Sequence, residues 1–116
     1  METKTATTIF ESLSSGWRLE AFRLLVKKGP EGMVAGDIAA ALDLAPSSLS
    51  FHLKALTHAG MVSVEQEGRF LRYRANLALM QAMVDYLTAE CCAGHPDQCA
   101  DLRGERVCAP ASAAMP

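Results

Sequence analysis

Apolar residues change their spacing along the chain, and these changes divide it into elements. From Thr7 to Ser14, Ile9, Phe10 and Leu13 fall on one side of a short helix, which Ser15-Gly16 interrupts. Trp17 to Lys28 carries Trp17, Leu19, Ala21, Phe22, Leu24, Leu25 and Val26 on nearly every side. That predicts a central, well-buried helix, closed by Gly29-Pro30-Glu31-Gly32. A third helix, Val34 to Leu42, places Val34, Ile38, Ala39 and Leu42 on one face. Asp43-Leu44-Ala45 connects it to a fourth, which opens with Pro46 in its first turn and runs to Ala59, where Gly60 stops it. Two helices joined by so short a link have helix-turn-helix spacing.

After Gly60 the period changes to two. Met61, Val62 and Val64 lead into a turn at Glu67-Gly68, and Phe70 to Ala75 returns as a second strand, predicting a hairpin or wing. Leu77 to Cys92 is helical again, ended by Gly94 and Pro96. The expected fold is mainly α with a small β-hairpin, a winged helix-turn-helix of order α-α-α-α-β-β-α. Residues 1–92 form its domain, and 93–116, rich in Ala and Pro without periodicity, read as a flexible tail.

Length and composition narrow the function. A chain of 116 residues, 50% hydrophobic and 21% charged, is one ordinary globular domain. No apolar run reaches the roughly 18–20 residues that span a bilayer, and Met1 to Glu20 contains no apolar signal segment. A cytoplasmic protein without membrane contact is expected. No Ser/His/Asp set, paired carboxylates or phosphate-cradling glycine loop marks it as an enzyme.

The net charge of -2 gives no overall attraction to nucleic acid, so any DNA contact must come from local patterning. At about 100° per residue, setting Leu49, Leu53 and Leu56 as the buried stripe of the fourth helix puts Ser47, Ser50, Phe51, Lys54 and His58 opposite, with Ser48 and His52 on the flanks. Short hydroxyls approach phosphates closely and can read base edges. Phe51 is costly in water and would fit against a thymine methyl or under the wing. The hairpin adds Arg69, Arg72 and Arg74. From Leu44 to Arg74, four basic residues stand against Glu65 and Glu67, a local +2. The plainer reading is that the hydroxyls cap a helix and the arginines decorate a solvated hairpin. Helix-turn-helix spacing and a wing together favour DNA binding through Ser47, Ser48, Ser50, Phe51, His52, Lys54, Arg69 and Arg72. Taken singly, His52 and His58 are flank or surface residues.

All four cysteines, Cys91, Cys92, Cys99 and Cys108, lie in the last 26 residues. A disulfide framework would spread its bridges through the fold; clustered thiols in a reducing compartment point to metal or redox chemistry. Cys91, Cys92 and Cys99 bring three thiols within nine residues, and so short a loop closes at little entropic cost. Three soft thiolates suit a three-coordinate ion such as As(III) or Sb(III), whereas structural zinc takes four ligands. His95 or Cys108 could supply a fourth, so Zn(II) and Cd(II) stay open, as do a two-thiol organoarsenical and oxidation to a disulfide. A plainer reading has Cys91 ending the apolar stripe of Met80, Met83, Val84 and Leu87, which leaves Cys92 and Cys99 unexplained. A thiol protein that only buffers metal is the non-regulatory alternative. A redox enzyme fits poorly, because the vicinal pair lacks the two-residue spacer of thioredoxin-like motifs.

Several stretches resemble one family. Leu13-Ser14 through Arg18-Leu19, Phe22-Arg23-Leu24-Leu25, Gly36-Asp37-Ile38-Ala39, Ser47-Ser48-Leu49-Ser50-Phe51-His52-Leu53-Lys54, Ala59-Gly60-Met61-Val62 and Glu67-Gly68-Arg69 are similar to the ArsR/SmtB family of bacterial metal-sensing repressors, across roughly residues 7 to 92. The resemblance implies a homodimer through the N- and C-terminal helices, a double-stranded operator with inverted-repeat half-sites, and release of DNA when the inducer binds. Two familiar sensing sites are missing. Met33-Val34-Ala35-Gly36-Asp37 stands where one subgroup has Cys-Val-Cys, and the last helix has Asp85 and Glu90 but no histidine. The remaining likeness is to arsenite-responsive members whose thiols follow the last helix, here Cys91, Cys92 and Cys99.

Overall fold

The computed structural model describes residues 1–89. Glu90, Cys91, Cys92, His95, Cys99 and Cys108, together with the expected stop at Gly94 and Pro96, lie outside the described residues. The elements are α1 (Thr3–Ser12), α2 (Gly16–Lys28), β1 (Met33–Val34), α3 (Ala35–Leu42), α4 (Pro46–His58), β2 (Val62–Glu67), β3 (Phe70–Ala75) and α5 (Leu77–Leu87). This is the winged helix-turn-helix order expected, with one added strand.

Helix α1 starts at Thr3 rather than Thr7 and ends at Ser12 rather than Ser14. Its first turns are polar and carry no apolar signal. The hydroxyls of Thr7 and Thr8 donate to the Lys4 carbonyl at 2.9 and 3.0 Å, which satisfies them on the helix itself. Ala6 and Ile9 are buried beside Ser12, whose hydroxyl donates to the Ile9 carbonyl at 2.7 Å and so avoids the penalty of an unpaired buried group.

Helix α2 is not buried all round. Ala21, Phe22 and Leu25 face the core, but Trp17 is 45% and Leu19 43% exposed in the single chain. The fold has neighbours for only one side of α2, against α3, α4 and β3. Apolar composition alone did not reveal that limit.

Strand β1, two residues long, is too short to show a period of its own. It pairs antiparallel with β3 (Met33 opposite Tyr73, Val34 opposite Arg72), giving a sheet of order β1-β3-β2. Strands β2 and β3 run in register from Val62 opposite Ala75 to Glu67 opposite Phe70. Their loop is Gly68-Arg69, with Gly68 at φ 65°, the positive angle that a tight hairpin asks of its first central residue.

Both helices of the helix-turn-helix end in the same hydrogen-bond pattern. After α4, Met61 N–H donates to the Leu56 carbonyl at 3.0 Å and Gly60 N–H to Thr57 at 3.0 Å, with Gly60 at φ 82°. After α3, Leu44 N–H donates to Ala39 and Asp43 N–H to Ala40, and Asp43 itself takes the left-handed conformation at φ 54°. This reversal at Asp43 sets the angle between α3 and α4. Asn76 ties the start of α5 to the exit of α4. Its Nδ2 donates to the Gly60 carbonyl at 2.9 Å, its N–H to Met61 at 2.8 Å, and its Oδ1 accepts from Leu79 N–H, capping α5.

Ile9, Leu25, Ile38, Leu49, Leu53, Leu56 and Met61 are the large side chains buried most completely. Each contributes on the order of 1.5–3 kcal/mol of transfer free energy. Three of the seven come from α4, so the core is also what holds the fourth helix in place. In α5, Met83 is buried but Leu77 is 52% exposed. Among the described residues the helix ends at Leu87, with Thr88 and Ala89 in a turn; the rest of the predicted run to Cys92 lies outside them. In this last segment Thr88 Oγ1 donates to the Val84 carbonyl, and Val84 and Leu87 are exposed.

Candidate nucleic-acid interface

The stripe read from the sequence is the one that anchors α4: Leu49, Leu53 and Leu56 are 2%, 1% and 0% exposed. On its outer side Ser47, Ser48, Ser50, Phe51 and Lys54 are exposed, and His52 is half-buried on the flank. No side chain caps the helix, and Pro46 has no N–H to offer. The first-turn amides of Ser47 and Ser48 therefore have no partner within the helix, and the positive end of its dipole is open to an anion. His58 is exposed at the far end, beside Glu11, Ser12 and Arg18 around a shallow groove between α1 and α4.

Phe51 is not under the wing; it is 64% exposed on the outer face of α4. The Arg18 guanidinium lies over its ring, 5.8 Å from the centroid, and the His52 ring meets it edge-on at 5.6 Å and 67°. A cation over an exposed ring contributes about 0.5–1 kcal/mol. Arg18 carries no signal in the sequence for this role. It sits on α2, far from α4 along the chain, and no local pattern links the two.

The wing's arginines divide into two kinds. Arg72 Nε donates to Glu67 Oε2 at 2.9 Å and its Nη1 to the Glu31 carbonyl at 3.1 Å. Arg74 Nη1 donates to Glu65 Oε1 at 2.7 Å and its Nε to the Pro30 carbonyl at 3.0 Å. These are diagonal cross-strand pairs, modest in energy because they are solvent-facing. They tie the hairpin to the turn after α2. Both acidic residues of the Leu44–Arg74 stretch are used in this way, so its local +2 resides on Lys54 of α4 and Arg69 at the wing tip, neither of which has an ion-pair partner among the described residues. The opposite face of the hairpin turns toward α4: Leu71 and Tyr73 line a groove with Leu49, Ser50 and Leu53. Burial there raises the Tyr73 phenol above its usual pKa of 10.0.

This arrangement gives a prediction. Lys54→Gln with Arg69→Gln is expected to flatten the salt dependence of duplex binding, lowering the slope of log K against log[salt] by about 3.6 for the dimer on both half-sites, two phosphate contacts' worth per protomer. Arg72→Gln should leave the slope nearly unchanged. Anisotropy titrations between about 50 and 200 mM salt, the span over which such contacts show, would read both.

No group of three or more His, Cys, Asp or Glu residues is placed to hold a metal among the described residues. The segment Met33–Asp37, where a thiol pair would lie in one subgroup, forms β1 and the first turn of α3. No helix among the described residues is long and apolar enough to cross a membrane.

A helix-turn-helix domain family matches residues 13–65, which contain α2, α3, α4 and the start of the wing. Transcriptional repressor SdpR of Bacillus subtilis (strain 168) is 32% identical over 79 residues, covering 68% of this chain and 84% of that protein. The chain belongs to the ArsR family of transcriptional regulators. Among solved structures similar to this ArsR-family chain is a homodimeric winged helix-turn-helix DNA-binding domain, Mb0332 from Mycobacterium bovis, a possible ArsR-family regulator. It is 25% identical with a TM-score of 0.60, over 79% of this chain and 85% of that one. Another is a possible transcriptional regulator for arsenical resistance, 28% identical with a TM-score of 0.57, over 70% and 83%. Within this ArsR-family fold, α3 and α4 form the helix-turn-helix and the β2–β3 hairpin is the wing.

Proposed function

We propose that this ArsR-family regulator is a cytoplasmic homodimeric repressor of an arsenic-resistance operon. It holds an operator with inverted-repeat half-sites and releases it when Cys91, Cys92 and Cys99 bind As(III) or Sb(III). The observation that carries this reading is the cluster itself: three thiols within nine residues, four positions beyond the end of α5. Soft thiolates select soft ions, and a three-ligand set matches trivalent arsenic better than zinc. Similarity to a possible transcriptional regulator for arsenical resistance supports an arsenic-linked role. Dimerisation is supported by the homodimeric relative and by exposed apolar side chains on the terminal helices: Phe10 on α1, and Leu77, Val84 and Leu87 on α5.

The residues suggest how the signal passes. The first thiol follows the last residue of α5 by four positions, and Asn76, which caps the start of α5, hydrogen-bonds both Gly60 and Met61 at the exit of α4. Drawing Cys91 and Cys92 to one ion changes the end of the helix that joins the two protomers. A small change in their separation mismatches the recognition helices to half-sites whose spacing the groove fixes.

Titrating the reduced protein with arsenite and counting bound arsenic tests the inducer. One equivalent per protomer is expected for the natural sequence and for Cys108→Ser, with binding lost or weakened sharply in Cys91→Ser, Cys92→Ser and Cys99→Ser. Binding that survives loss of any single one of these thiols would mean a two-thiol organoarsenical-type site. No arsenite binding at all would remove the inducer and turn attention to Zn(II), Cd(II) or oxidation.

A further inference from the structure

Phe51 is the largest apolar side chain on the DNA-facing side of α4, and Arg18 and His52 both lie against its ring. Arg18 reaches it from α2. Its Nη1 donates to the Glu11 carbonyl at 3.2 Å, at the end of α1, an oxygen that also accepts the Ser14 N–H and hydroxyl. Its Nε is buried, so the side chain is packed as well as hydrogen-bonded, and the guanidinium carbon lies 5.8 Å from the Phe51 centroid. On the ring's other neighbour, His52, Nδ1 is also buried and unpartnered, consistent with an imidazole set by packing against Phe51 and not by a hydrogen bond. An exposed aromatic flanked by Ser47, Ser50 and Lys54 needs an apolar feature to meet. In the major groove the thymine 5-methyl is the apolar group that a base pair presents.

We propose that Arg18 is a positioning residue for sequence recognition: it fixes the Phe51 ring so that the ring packs on one thymine methyl in each half-site. The proposal rests on α4 being the DNA-reading helix and adds to it a residue from outside the helix-turn-helix. The competing role for Arg18, a direct phosphate contact, makes opposite predictions.

The test uses the full-length protein and a duplex site that it selects from a randomised pool. Each thymine of that site is replaced in turn by deoxyuridine, which lacks the methyl, and affinity is read by fluorescence anisotropy. The natural protein should lose about fourfold, the worth of one buried methyl, at one thymine per half-site. Phe51→Ala should bind the two duplexes equally at that position. Arg18→Gln should shrink the penalty there below about twofold while leaving the salt slope unchanged, and Arg18→Lys, which keeps the charge but loses the planar group, should shrink it partway. Thermal unfolding confirms that each variant is folded; if Arg18→Gln is not, the lysine variant carries the comparison. A full methyl penalty in the Arg18 variants, with the slope reduced by about 1.8 for one lost phosphate contact in each protomer, overturns the proposal. So does the absence of any thymine whose penalty depends on Phe51. Failure of the natural protein to enrich any duplex overturns the DNA-binding reading itself, and this proposal with it.

Discussion

Gly32→Ala is expected to destabilise the fold by about 3 kcal/mol or more, among the largest effects of any single substitution. Gly32 is buried at φ 65°, just before β1. Alanine pays roughly 1–2 kcal/mol to take that left-handed conformation. Its added Cβ would also overlap the Tyr73 carbonyl oxygen and lie 2.7 Å from Arg74 Cγ. The carbonyl belongs to β3 opposite β1, so it cannot retreat without opening the β1–β3 pairing and loosening the wing. Gly29→Ala is the control. It has φ 86° and ψ -161°, a region that only glycine enters readily, but nothing lies within 4 Å of the new methyl, so only the conformational cost of about 1–3 kcal/mol should appear. Urea unfolding of the two variants beside the natural chain separates them. Equal losses would show that contact with β3 does not matter.

Saturating arsenite is expected to raise the Kd for the operator by about 10- to 100-fold, a coupling of about 1.4–2.7 kcal/mol, within the usual allosteric range. Cys91→Ser, Cys92→Ser and Cys99→Ser should bind the operator within about twofold of the natural protein when no arsenite is present, because the cysteines lie outside α4 and the wing. They should then lose the response, since a serine hydroxyl is a hard, neutral donor that does not replace a thiolate on a soft ion. Cys108→Ser should respond normally. Equilibrium anisotropy with and without arsenite reads all four variants. A weakened operator affinity in the apo cysteine variants would mean that the thiols support the fold or the dimer rather than sense.

The elements with a strong period were legible in the sequence. Helix α4 was readable in both extent and face, because Leu49, Leu53 and Leu56 stand at helical spacing between Pro46 and Gly60, and all three are buried. The hairpin was readable from its change to a period of two and from Gly68. Strand β1 was not, since two residues carry no period and its existence depends on β3, some 40 positions away. The burial of α2 was overestimated because composition counts apolar residues, whereas only tertiary neighbours decide which of them are covered. At the interface, sequence placed the hydroxyl face, Phe51 and Lys54 correctly on the outside of α4. It set Arg69 and Arg72 together as DNA contacts, and the diagonal pairing of Arg72 to Glu67 shows that the two are not equivalent. That distinction arises from strand register, which charge counting ignores. Arg18 was out of reach for the same reason: its link to Phe51 is made by the packing of α2 on α4. Cys91, Cys92 and Cys99 are legible only as chemistry, by donor type and spacing, because they lie outside the described residues.

The most direct test tracks binding and release in one titration. A preformed complex of reduced protein with its selected operator duplex is titrated with arsenite while anisotropy and bound arsenic are recorded together. Release that parallels arsenic binding and saturates at one equivalent per protomer, with neither event in Cys91→Ser, is the predicted result. Arsenic that binds to saturation without releasing the duplex, or release that proceeds equally in Cys91→Ser, would contradict the account.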